Sequence, residues 1–311
     1  MTVRVRRQTK GGGNNDRNKN TRLEDQKTQK YSLGGDHQFG KLGMDWKVSF
    51  SSASENRPDE RYVRYEQKGV PISSLDISNP RFPSFVYAGN DWNDVSQFGY
   101  KKTEQAFKGT EENNTSFSLD FDLPYNVNDE VKFGFKYKSK TKDRNDIWYE
   151  YDNGLSDMSG VEYFDATLSG YQPGKKYQSG NFLTAAALGN LSLGGPSDPN
   201  FDSYVMDEFA GLNYDADENI TAFYAMIKDK LGDNLTLIAG ARIESTNVEY
   251  TGQVFDEEED ETPADIGSVN GDNSYTNILP NLTLQWDLND KLNFNFALTQ
   301  SLSRPSYYDL V

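Results

Sequence analysis

Between residues 281 and 299 the side chains alternate so strictly that only one kind of backbone fits. Leu282, Leu284, Trp286 and Leu288 alternate with Asn281, Thr283, Gln285 and Asp287. After Asn289-Asp290-Lys291, Leu292, Phe294, Phe296 and Leu298 alternate with Asn293, Asn295, Ala297 and Thr299. A period of two places successive side chains on opposite faces of a strand, and Asn-Asp-Lys is turn chemistry. Folding the hairpin with Leu288 facing Leu292, and without a bulge, sets Trp286 against Phe294, Leu284 against Phe296 and Leu282 against Leu298. One face becomes a ladder of bulky apolar pairs; the other carries Asp, Gln, Thr and Asn. A soluble sandwich could use such a hairpin by packing the apolar face on a second sheet. A membrane barrel could use it by turning that face to lipid and the polar face to an aqueous lumen.

Three more hairpins repeat the pattern. Gly40-Lys41 is a two-residue turn, and pairing Phe39 with Leu42 sets Gly35 beside Trp46, Leu33 beside Val48 and Tyr31 beside Phe50. A large ring over a cross-strand glycine is a recurrent sheet device. Around a turn at 124–130 the pairs are Leu123–Val131, Phe121–Phe133, Leu119–Phe135 and Phe117–Tyr137, with Asp122 opposite Lys132 on the other face. Around 231–234 they are Ile227–Ala239, Ala225–Ala241 and Phe223–Ile243, with Tyr224 beside Arg242 and Ala222 beside Glu244. Val3 and Val5 suggest the end of a further strand. Short helices are expected within 181–193 and 203–212.

The connections sort by length. Short turns fall at 40–41, 124–130, 231–234 and 289–291, and long loops at 10–20, 54–113, 143–219 and 252–274. Every short turn is at one end of the sheet and every long loop at the other. Outer-membrane barrels sort loops this way, with short periplasmic turns and long extracellular loops. The expected fold is therefore all-β: an antiparallel transmembrane β-barrel segment of about eight to nine strands.

Composition agrees where it bears on the choice. No apolar run approaches the ~20 residues of a membrane helix, while barrel strands need only ~9–11 alternating residues. A mean hydropathy of −0.81 is therefore compatible with a barrel. The net charge of −16 argues against nucleic acid as a partner. The absence of cysteine removes disulfides, thiolate metal sites and Cys nucleophiles. His37 is the single histidine, next to a tight turn, so His-based hydrolysis has little to build on.

Three stretches resemble the barrel of TonB-dependent outer-membrane receptors: GGDHQFGKLGMDWKVSFSSASENRPDERYVRYE, LTLIAGARIESTNVEYTG, and NILPNLTLQWDLNDKLNFNFALTQSLSRPSYYDL with its Ser303-Arg304-Pro305-Ser306. The resemblance covers nearly the whole chain, most weakly in the long loops. It implies a large plugged barrel that binds a scarce nutrient (an iron chelate, cobalamin or an oligosaccharide) and is driven by the TonB complex pulling on a plug. With no plug or TonB-contacting box ahead of Met1, no signal peptide and no final aromatic-ended strand, residues 1–311 read as an internal barrel fragment that would not transport alone. The alternatives are a small structural or passive-pore barrel and a soluble β-rich carbohydrate-binding protein. No enzymatic activity, cofactor or metal is expected.

Several residues merit a functional reading. Phe82, Tyr87, Trp92, Trp148, Tyr149 and Tyr151 lie in the long loops and could stack on a sugar or chelate, or serve loop packing. Tyr224, Arg242 and Glu244 face the lumen and could hold a plug, line a permeation path or form an ion network. The acid run at 256–261 with Asp265 lacks the spaced ligands of a calcium loop and reads as a solvated loop. Arg4, Arg6, Arg7, Lys10, Arg17, Lys19 and Arg22 could contact lipid phosphates at the outer leaflet or be solvated.

Overall fold

In the computed structural model the alternating stretches become one antiparallel sheet. Residues 1–14, 23–81, 83–89, 91–166, 180–256, 258–259, 262–289 and 291–307 are described. The long strands are β1 (Thr2–Gly12), β2 (Asp25–Phe39), β3 (Leu42–Asp76), β5 (Gly99–Pro124), β6 (Glu130–Tyr151), β10 (Tyr214–Lys230), β11 (Leu235–Val254), β12 (Gly267–Asn289) and β13 (Leu292–Thr299). Short β4 (Ser84–Tyr87) and β9 (Phe201–Tyr204) complete an eleven-stranded sheet. Strands β7 (Tyr163–Asp165) and β8 (Asn181–Leu183) pair separately, and α1 is Ala185–Gly189. The sheet runs β1-β3-β5-β6-β10-β11-β12-β13, with β2 beside the first half of β3. It is an open arc: among the described residues β13 pairs only with β12, and β2 only with β3.

The hairpin registers follow the hydrophobic ladders. Phe39↔Leu42, Leu119↔Phe135, Phe223↔Ile243 and Trp286↔Phe294 are all Cα partners. One expected pair differs. Asn289, not Leu288, stands opposite Leu292, with a bulge between Asp287 and Asn289. The Asn289 side chain accepts a hydrogen bond from the Lys291 N–H at 3.0 Å, which holds Asn289 in the turn and leaves Leu288 as the extra residue. At the Gly40–Lys41 turn the φ of +66° at Gly40 is the left-handed value that a side chain resists.

Trp46, Leu119, Phe135, Phe223, Ile243 and Ile278 form one row across six strands. Rings meet along it, Phe135 and Phe223 tilted against each other with centroids 4.9 Å apart. Nothing among the described residues covers this face: Phe223 is 57% exposed, Ile278 62% and Leu298 65%. So wide an apolar surface would aggregate in water, and in a bilayer it is the side solvated by lipid. No helix among the described residues is long and apolar enough to cross a membrane. On the same face His37 accepts a hydrogen bond from Trp46 Nε1 at 3.0 Å, beside Gly35, so the single histidine serves the sheet.

Much of what alternation leaves as loop is strand. β3 runs to Asp76 and β5 starts at Gly99, so the connection shrinks from 54–113 to 77–98. The others shrink to 152–213 and 255–266. Beyond the lipid band both faces of these strands meet protein or water, and the period of two fades. Pro58 marks the change. It lies in the bulge between Arg57↔Lys108 and Glu60↔Ala106, where a missing N–H costs no ladder bond.

The extension carries the buried cores, one on each face. Val63, Tyr65, Val70, Phe98, Met158, Leu183 and Leu188 pack on one side. Tyr62, Ala106, Trp148, Met206 and Phe209 pack on the other, as adjacent Tyr62 and Val63 must. The stretch 181–193 contains α1, and 203–212 contains 3-10 turns at Met206–Glu208 and Ala210–Leu212. Arg61 fixes α1 to the sheet: its Nη1 donates to the carbonyls of Gly189 at 3.0 Å and Leu191 at 2.7 Å, satisfying acceptors the helix end leaves open.

Candidate functional site

The face opposite the lipid band is the candidate site. Tyr224, Arg242 and Glu244 all point to it but enter two networks. The Tyr224 hydroxyl donates to Asp120 at 2.8 Å across β6. Its ring lies over Gly134, where an added Cβ would sit 2.6 Å from it and 2.8 Å from the Leu119 carbonyl oxygen, so a side chain at 134 would displace the ring and crowd the β5 backbone. Arg242 donates to one Glu244 oxygen from Nε at 2.8 Å and from Nη2 at 2.7 Å. The other Glu244 oxygen accepts from Arg304, which also donates to Thr246 at 2.9 Å and pairs with Glu218 at 3.3 Å. The segment after β13 therefore folds back over the inner wall, and Arg304 belongs to the same network as Arg242.

A second feature lies in the sequence of β6, EVKFGFKYKSKTKDR. Its inward positions are Lys132, Gly134, Lys136, Lys138, Lys140, Lys142 and Arg144, so six of the seven are basic. Lys140 and Lys142 reach Glu112 at 3.1 and 3.8 Å, Arg144 reaches Asp146 at 2.8 Å and Lys132 reaches Glu130 at 3.5 Å. The signal was an alternation of charge rather than of hydrophobicity.

At the extracellular end Glu60 is fully enclosed on the same face. Tyr62 donates to it at 2.8 Å, and Lys108, Arg57 and Lys10 surround it at 3.1, 3.7 and 3.8 Å. Burial pulls its carboxyl upward, but the Tyr62 hydroxyl and the Lys108 and Lys10 ammonium groups outweigh burial, and it titrates below its ordinary range. Lys10 sits over the Tyr62 ring, Lys108 sits over Trp148, and the two rings stack at 5.1 Å.

The loop aromatics divide among three places. Trp148 is in that inner cluster. Tyr87 and Trp92 stack face to face at 5.1 Å on the opposite side, with the Arg7 guanidinium over Trp92, Phe98 and Phe182. Tyr149 meets Phe107, Phe201 and Tyr204 edge-on. Tyr151 is buried, its hydroxyl donating to Gln105 at 2.6 Å and accepting from the Gly195 N–H at 3.0 Å. Burial pushes that hydroxyl up to about 12. Phe82 lies outside the described residues.

Of the basic residues near the start, Arg4 and Arg6 approach Glu66 at 3.8 Å, while Arg17, Lys19 and Arg22 lie outside the described residues. So does part of the acid run at 256–261. Asp265 closes a turn by accepting from the Thr262 N–H at 2.9 Å. Among the described residues no group of three or more His, Asp or Glu side chains is arranged to hold a metal ion.

The profile of an outer membrane protein beta-barrel family matches residues 196–311, which hold β10 to β13. The chain is an outer-membrane β-barrel segment. No curated protein matches its sequence. Among solved structures it is similar to the ferric citrate transporter FecA in the unliganded form, at 11% identity and a TM-score of 0.30, over 94% of this chain and 43% of that one. This barrel segment thus spans less than half the length of that transporter.

Proposed function

We propose that the barrel segment is part of an outer-membrane receptor for active, TonB-coupled uptake of a scarce nutrient: an iron chelate, cobalamin or an oligosaccharide. The observation that supports this best is the inner wall. It is polar and ion-rich along its depth, and at the extracellular end it rises into strands roofed by packed loops. A passive pore has no need of so elaborate a mouth. In this reading the ligand first meets the aromatic residues of that mouth, among which Tyr87, Trp92 and Tyr149 keep part of their rings exposed. It then passes Tyr224, Arg242 and Glu244. Energy arrives from the TonB complex through a plug domain that would lie outside residues 1–311. The reading involves membrane lipid and a small ligand, with no nucleic acid, cofactor or enzymatic step.

The test is genetic. A strain lacking the gene is grown with each class of nutrient as the limiting source, alongside a strain lacking TonB. The account predicts that both fail on the same nutrient. Uptake that needs this protein but persists without TonB would make it a passive pore.

A further inference from the structure

The basic column of β6 has a feature that the networks around it do not explain. The inner-wall carboxylates nearest Lys136 and Lys138 each have another partner. Asp120 accepts from Tyr224, Glu112 serves Lys140 and Lys142, and Glu218 pairs with Arg304. Lys136 and Lys138 have no ion pair among the described residues. Their cross-strand neighbours are Ser118 and Ala222 for Lys136, and Ser116 and Ile220 for Lys138, none of them charged. Two adjacent ammonium groups without an ion pair repel each other and leave donors open on the wall.

We infer that this column is the path of an anionic ligand rich in carboxylate or phosphate oxygens. The inference rests on the transport reading and names its cargo. From Lys132 to Arg144 the column rises roughly 41 Å at ~3.4 Å per residue. Tilted by the ~35–45° usual for membrane barrel strands, that is about the ~30 Å depth of a hydrocarbon core. Successive lysines stand roughly 7 Å apart, close enough for one polyvalent anion to touch two. Their flexible stems each offer three N–H donors without a fixed fork, which suits a ligand that is passed along. Charge of one sign on a low-dielectric wall concentrates the counter-ion, and multiple sites of moderate strength let it leave again. On one side of the column, Asp36, Asp45 and Asp120 form a negative row across β2, β3 and β5.

The experiment uses the full-length protein in detergent, with inorganic tripolyphosphate as probe and maltotriose as the neutral control. The expected result is saturable tripolyphosphate binding that Lys136→Gln and Lys138→Gln each weaken about tenfold, the scale of one charge-assisted hydrogen bond. Lys136→Arg and Lys138→Arg keep the affinity within about threefold, since the charge stays. Lys228→Gln, which removes a cation paired with Glu130 near the turn, leaves it unchanged. Unchanged binding in both glutamine variants overturns the inference. If they instead lose thermal stability, the lysines serve a protein segment and the anion path is equally wrong. TonB-dependent uptake of a neutral nutrient, without tripolyphosphate binding, would refute the anion path and leave the transport reading standing. Lysine-dependent binding with TonB-independent uptake would do the reverse.

Discussion

Glu60→Ala is the substitution to which the extracellular extension should be most sensitive. The carboxylate is fully enclosed and is the shared partner of Lys108, Arg57 and Lys10, with Tyr62 as a fourth donor. Removing one partner from a buried ion network costs ~3–5 kcal/mol when the remaining charges stay buried. Here the side chains of Lys10, Arg57 and Lys108 keep 40%, 22% and 20% of their surface exposed. Water can take back part of their charge, and half-exposed pairs are worth only ~0–1 kcal/mol each. The expected cost is therefore about 2–3 kcal/mol, a roughly 30- to 160-fold rise in the locally opened population. Glu60→Gln keeps an acceptor for Tyr62 and loses only the charge, at about 1–2 kcal/mol. Because the folded carboxyl titrates below the unfolded one, its contribution is complete above the ordinary glutamate range. It is lost as pH falls through the lower folded value. Native-state proteolysis of the full-length protein in detergent, following cleavage in 152–213, measures the opening. Cleavage rates for Glu60→Ala within twofold of wild type would refute the reasoning.

Other consequences follow from single contacts. Gly134→Val should displace the Tyr224 ring and break its bond to Asp120, costing about 2 kcal/mol against about 1 for Tyr224→Phe; unfolding in urea with lipid vesicles separates the two. Arg61→Ala should free the carbonyls after α1 and speed protease cleavage near residue 190 about tenfold, with the membrane strands unaffected.

The sequence was legible where the membrane simplified it. With lipid on one side and water on the other, Leu282 to Trp286 or Phe117 to Leu123 can only alternate, and ladder pairing then fixes the register. Above the band that constraint ends. The stretch 51–76 is strand, but Val63 and Tyr62 are buried on opposite faces, so no single apolar period marks it. The bulge at Leu288 turned on one side-chain hydrogen bond, which a pattern of hydrophobicity does not encode. For the inner wall, alternation predicted that Tyr224, Arg242 and Glu244 share a face. It could not predict that Arg304, about sixty residues along the chain, would complete their network. The lysine column was readable in principle, as a period of two in charge.

The central claim is that one face of this sheet meets lipid and the other meets water. The chain has no cysteine, so single cysteines can be introduced at will. Spin labels at Phe223, Ile243 and Phe296 on one face, and at Lys138, Asn281 and Asn295 on the other, are to be measured in the full-length protein in bilayers. The account predicts high collision rates with oxygen and low rates with a water-soluble nickel chelate at the first set, and no such preference for oxygen at the second. Equal accessibility of both sets to the nickel chelate would mean that the apolar face does not meet lipid, and would contradict the barrel.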